Sequence, residues 1–262
     1  MRLEFRNDTA ANWTFYDPVL APGEFGYETD TGKTKLGYGV IWSSTPYYPA
    51  NLNAWARQNV LEVYTTSATW TVPTSLRVTG AKWQVTIVGG GGGGGASQTL
   101  AAGRVGNGGG SGGVGISSYT YVSGVNTMTF VVGAASAGGG NPSSTTYNGV
   151  TYTANGGAGG IGGSAINQGG LGGTVTGITV GETFTGNKGD TGGLTTLNNA
   201  LMGYGGQTPL GFGSSIAIGT AAGGNGVNGQ SFGSGGSGGR AGSATTSRTG
   251  GNGAAGVLII EY

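Results

Sequence analysis

Between Lys82 and Val88 the side chains alternate: Trp83, Val85 and Ile87 fall between Lys82, Gln84 and Thr86. That period of two predicts a half-buried strand. The same reading predicts strands over Ser118–Val122, Thr127–Val132 and Val257–Tyr262, the last leaving the chain's end inside a sheet. Asn148-Gly149 between the apolar positions of YNGVTYT is a two-residue hairpin signal. Nearer the start, Phe25, Tyr27 and Thr29 alternate with Gly26 and Glu28. Pro18, Pro22, Gly23 and the run Asp30–Gly32 mark turns. A short helix is expected over Leu52–Val60, with Asn51 as its cap. The pattern predicts a mainly β and irregular chain with very little α-helix.

The pattern changes abruptly at the run Gly89–Gly95. Residues 1–88 hold 6 of the 63 glycines and all five tryptophans, so the two halves need different architectures. Three regions are expected: an N-terminal β-module over 1–50, a connector over 51–68 and a glycine-rich domain over 69–262. Many glycines fall in Gly-Gly-x triplets, as in 109–114, 156–164, 169–174 and 235–240. Period three is the repeat of the polyproline II helix, which has no internal hydrogen bonds. Packed side by side, such helices satisfy one another's backbones if no side chain blocks their approach. That contact has to offset the large entropy glycine loses on ordering. Packed polyglycine II helices are therefore the favoured reading. A β-solenoid remains open. A flexible linker fits poorly, because aromatic and β-branched residues recur between triplets. Collagen would need far more than 7 prolines.

Composition removes several functions. Histidine and cysteine are absent, which excludes Cys/His zinc sites, disulfides and His-activated nucleophiles. Net charge is +1 with 8% charged residues, so no basic field favours nucleic acid or an anionic membrane. The first residues carry no apolar signal core and no long apolar run follows; neither secretion by a cleaved signal nor membrane insertion is expected. GYETDTGKT resembles a phosphate loop only superficially, since Gly26 and Gly32 are separated by five residues rather than four. Glu24, Glu28 and Asp30 cluster in sequence, but surface charge or a subunit salt bridge suits them better than a sugar-hydrolysing pair. No catalytic residue, metal site or cofactor is expected.

What remains is recognition. Interruptions between triplets must leave the scaffold as loops, and the richest runs from Leu194 to Phe212. Its Leu197, Asn198, Asn199, Met202, Tyr204 and Phe212 are candidate receptor-contacting residues, with Asn167 and Phe232 from smaller interruptions. Aromatic, Met and Asn side chains on a stiff base suit protein loops or sugar faces. Packing within the core or between subunits is the competing role for the same residues.

Residues 5–48 resemble the N-terminal module of phage tropism-determinant and tail-fibre proteins. The resemblance rests on Pro18–Ala21, Gly23, Glu24, Gly26, Glu28–Thr31, Lys35, Gly37, Gly39, Trp42, Pro46 and Tyr47, with Tyr38 where the family usually has Asp. Residues 69–262 resemble the glycine-rich domain of phage tail proteins, through TWTVP, the strand running into the glycine block and the terminal GVLIIEY. The style is similar to the tip adhesins of T-even-like phages. The resemblance implies a non-catalytic virion tail-fibre or adhesin subunit, released from the host by lysis. It implies a homotrimer, held at its N-terminus by a tail or baseplate protein and binding a bacterial outer-surface protein or polysaccharide. A purely structural tail component and, less favoured, a polysaccharide depolymerase are the alternatives.

Overall fold

The computed structural model describes residues 6–47, 60–97, 105–162, 168–196, 199–211, 213, 223–241 and 247–262. The chain forms two compact units, Met1–Asn59 and Val60–Tyr262.

The first unit contains β1 (Arg6–Asp8), α1 (Ala10–Tyr16), β2 (Val19–Leu20), β3 (Phe25–Glu28), β4 (Thr34–Leu36) and β5 (Val40–Ile41). β3 lies between parallel β1 and antiparallel β4, and β2 pairs with β5. The helix was not expected from the sequence, because only Trp13 marks its buried face. Its ends explain it: the Thr9 hydroxyl accepts from Asn12 N at 3.3 Å, and Asp17 turns left-handed and donates to Trp13 O. Trp13 stacks on Trp42 at 4.2 Å, and Leu20 completes this small core. The helix expected over Leu52–Val60 falls outside the described residues, apart from Val60, which is not helical.

On β3 the inward positions are Gly26 and Glu28, not the aromatic ones. Gly26 faces the Trp42 ring, where a Cβ would come within 2.5 Å. Glu28 is therefore not surface charge: it is 1% exposed and accepts from the hydroxyls of Tyr47, at 2.6 Å, and Thr31. Lys35 is buried beside it, donates to Trp42 O at 2.7 Å and sits over the rings of Trp42 and Tyr47. Burial lowers the Lys35 pKa, partly countered by the charges of Glu28 and Asp17.

The second unit joins two structures end to end. Its strands are β6 (Leu61–Tyr64), β7 (Ala68–Thr71), β8 (Lys82–Val88), β9 (Val114–Thr120), β10 (Thr127–Val131), β11 (Ser143–Tyr147), β12 (Val150–Ala154), β13 (Val175–Thr176), β14 (Gly181–Phe184), β15 (Gly193–Thr196), β16 (Asn199–Leu201), β17 (Gly223–Gly224), β18 (Arg240–Ala241) and β19 (Val257–Glu261). Two five-stranded sheets form a sandwich, in the orders β14-β9-β8-β19-β6 and β13-β12-β11-β10-β7. The expected alternation on β8 holds: Trp83, Val85 and Ile87 point inward, against Leu258 and Ile260 of β19 and Met128 and Phe130 of β10. Such side chains contribute roughly 1.5–3 kcal/mol each on burial. Asn148 and Gly149 both adopt positive φ, 49° and 74°, closing β11 onto β12 in the two-residue hairpin. Residues 61–64, assigned to the connector from sequence, form the β6 edge of the first sheet.

Strands of the sandwich run on directly into extended glycine segments: β8 into 89–95, β10 into 133–136, β12 into 155–162 and β14 into 185–192. Segments 105–113, 168–174 and 247–256 return into β9, β13 and β19. Segment 105–113 is the axis of this bundle. Its donors rotate with period three: Gly106, Gly109 and Gly112 bond to Gly239, Gly236 and Gly233, while Asn107, Gly110 and Gly113 bond to Ile161, Ala158 and Asn155. Gly108 and Ser111 bond to Asp190 and Asn187. Its carbonyls accept from three further segments, through Gly89, Gly92 and Gly95, Gly170 and Gly173, and Gly203 and Gly206. Six neighbours thus surround one strand of backbone, and no N–H from Gly106 to Gly113 lacks a partner.

Side chains are excluded by the same geometry. A Cβ on Gly109 would lie 2.1 Å from Gly92 O, and one on Gly108 1.6 Å from Tyr204 O. The x positions of 155–162 and 168–174 instead face water, with Ile161 55% and Leu171 63% exposed. Among the described residues no helix is long and apolar enough to cross a membrane.

Candidate functional site

The hydrogen-bond register fixes the two ends of the glycine bundle. One end abuts the sandwich, at Gly112 beside Gly233 and Gly89 beside Gly113. The other lies near Gly106 and Asn107, two turns away, roughly 19 Å at about 3.1 Å per residue. Asn107 is fully buried there and ties four segments together: it accepts from Gly95 N and Gly192 N, donates through its backbone to Ile161 O and reaches Gln168 O through its amide. Gly203, Gly239 and Ser97, the last bonded to Arg248, end at the same level. The segments that end at Ser97, Ile161, Gly192 and Gly239 therefore reach one distal end, whereas the turn at Ser231–Gly233 lies at the sandwich end. A buried Asn in VGNGGGSGG was the available signal for this pin, and the glycine count alone hides it.

The sequence candidates divide between the ends. The Leu194–Phe212 interruption is not one loop. At the distal end β15 (Gly193–Thr196) pairs with β16 (Asn199–Leu201), which carries Asn199. Residues 202–207 then rejoin the bundle, because Gly203 and Gly206 donate to Gly106 and Gly109. Met202 is consequently buried at 2%, where a Cβ on Gly224 would meet its Cε. Met202 packs the scaffold and presents no surface to a partner. Tyr204 lies on the bundle's flank, 43% exposed. Phe232, 41% exposed, sits beside Gly233 at the sandwich end, so it shares no surface with the β15–β16 pair. Leu197, Asn198, Phe212 and Asn167 lie outside the described residues.

Concavities open between described segments of the bundle. A notch of about 490 Å³ is lined by Gly94, Gly95, Ala96, Ala137, Gly160 and Gly250 with neighbouring backbone. A groove of about 300 Å³ runs between 187–190 and 204–207. Asn187, Lys188, Asp190 and Gln207 face that groove together with Tyr204, and the sequence reading named only Tyr204 among them. Their signal was the three-residue step, Asn187 to Asp190 and Tyr204 to Gln207.

Residues 4–40 match the family model described as the major tropism determinant N-terminal domain. The N-terminal unit is thus of the phage tropism-determinant type, which supports a virion tail component concerned with host range. No curated protein matches the chain.

Proposed function

We propose that this chain is a bacteriophage tail-fibre or adhesin subunit that attaches the virion to a bacterial surface receptor by non-catalytic binding. The observation that carries the reading is the tropism-determinant match over residues 4–40. The bundle supports it physically. Glycine-rich extended segments, hydrogen-bonded to one another around 105–113, suit packed polyglycine II helices and a stiff platform for display. Pre-organised loops lose little entropy when they bind, and several copies add avidity. The N-terminal unit is the part held by a tail or baseplate protein. It exposes Phe15, Tyr16, Tyr38 and Ile41, an apolar surface suited to that partner and to association into a homotrimer.

The test is competition for adsorption. Purified chain, preincubated with host cells, is expected to slow adsorption of the parent phage in proportion to its concentration. Unchanged adsorption at saturating protein overturns the attachment role and favours a purely structural tail component.

A further inference from the structure

Unlike the glycine-lined notch, the 187–190/204–207 groove carries charged, amide and aromatic side chains. Two antiparallel extended segments lie side by side, fixed by Asp190 N to Tyr204 O at 2.8 Å. Beneath them the buried Ser111 hydroxyl accepts from Asn187 N at 2.7 Å and donates to Gln207 O at 2.8 Å. Gly108 N holds Asp190 O at 2.9 Å. The backbone of Asn187, Asp190, Tyr204 and Gln207 is therefore set before any ligand arrives.

Period three then places side chains in two rungs. Asp190 stands beside Tyr204, and Asn187 beside Gln207, one turn apart at about 9 Å. All four are exposed, and Lys188 flanks them with its Nζ 3.3 Å from Gln168 Oε1. An aromatic face next to a carboxylate and two amides matches a sugar ring. The ring's C–H face stacks on tyrosine while its hydroxyls donate to Asp190 and exchange hydrogen bonds with Asn187 and Gln207. A protein loop would favour an apolar pocket, which this open polar groove does not offer.

We infer that this groove is a saccharide-binding site for a bacterial surface polysaccharide, with Tyr204 as stacking platform and Asp190, Asn187 and Gln207 as hydroxyl partners. The inference rests on the attachment reading and names its receptor class. It also moves recognition from the loop tips to the flank of the bundle, where repeated turns allow more than one sugar to bind.

An array of bacterial O-antigen and capsular polysaccharides, probed with the full chain, tests it. Wild type is expected to bind at least one polysaccharide. Tyr204→Ala is expected to lose at least tenfold and Asp190→Asn several-fold, while Tyr204→Phe, which keeps the ring, retains most binding. Ile161→Ala, an exposed position on a bundle segment that does not border the groove, should match wild type. Equal binding by Tyr204→Ala and wild type overturns the proposal. So does a chain that adsorbs to host cells yet binds no polysaccharide, an outcome that leaves attachment intact and points to a protein receptor. Tyr204-dependent binding on the array with no adsorption to cells would support the groove and overturn the attachment role. If Tyr204→Ala melts below wild type, the Tyr204→Phe and Asp190→Asn pair carries the comparison.

Discussion

Adding one methyl group to the centre of the glycine bundle tests the scaffold directly. Gly109 lies on the axial segment, and a Cβ there would come 2.1 Å from Gly92 O and 2.5 Å from Gly92 C. Gly92 cannot retreat, since it donates to Gly110 O and accepts from Gly236 N, at 2.8 and 2.9 Å. Relieving an overlap of about 1 Å means spreading packed backbones, with an overpacking cost of roughly 1–3 kcal/mol. Each buried backbone bond stretched open costs about 1–3 kcal/mol more. Against this, alanine restricts the unfolded chain and returns only about 0.4–1 kcal/mol. Gly109→Ala should therefore destabilise the second unit by roughly 3–5 kcal/mol. At about 2–4 °C per kcal/mol for a domain of this size, the midpoint should fall by roughly 6–20 °C. Gly193→Ala is the control, because a Cβ there meets nothing within 4 Å. Differential scanning calorimetry of both variants against wild type decides the matter. Equal, small shifts for the two would refute the close-packed backbone argument.

Two further outcomes follow from buried polar groups. Burial first, and hydrogen bonds to Glu62 second, push the hydroxyls of Tyr64 and Tyr262 up to about 12 from an ordinary 10.0. A raised folded pKa stabilises fully below pH 10 and is lost as pH rises through about 12, so thermal stability should fall across that window. Tyr64→Phe with Tyr262→Phe should flatten this fall in melts taken from pH 8 to 12. In the N-terminal unit, Glu28→Ala removes the acceptor for both the Tyr47 and Thr31 hydroxyls, at about 1.5–3 kcal/mol for each charge-assisted bond. Loss of the roughly 3–6 kcal/mol total should unfold that unit selectively, seen as loss of amide-exchange protection at Trp13 and Tyr27 while Ile87 and Leu258 stay protected.

The sequence by itself determined the local geometry. Alternation fixed which face of β8 turns inward, because side chains on a strand point to opposite sides whatever they later meet. Asn148-Gly149 fixed its hairpin through positive φ, and the glycine triplets fixed a backbone that needs partners on several sides, each side recurring at every third residue. The tertiary structure decided which partners those are. Nothing local to Gly108 specifies Asp190 or Gly170 as its neighbours, and a hydrogen bond between distant glycines leaves no pattern in composition. For the same reason the sequence could not tell that Met202 packs inward while Tyr204, two residues on, faces water beside Asp190. It could not place Phe232 at the opposite end of the bundle from the β15–β16 pair. It also read Glu28 as surface charge or a subunit salt bridge, since a lone carboxylate reads as exposed until Tyr47, Thr31 and Lys35 are folded around it. Rotation about each extended segment is set by the neighbours its backbone bonds to, and that rotation selects the side chains offered to a receptor.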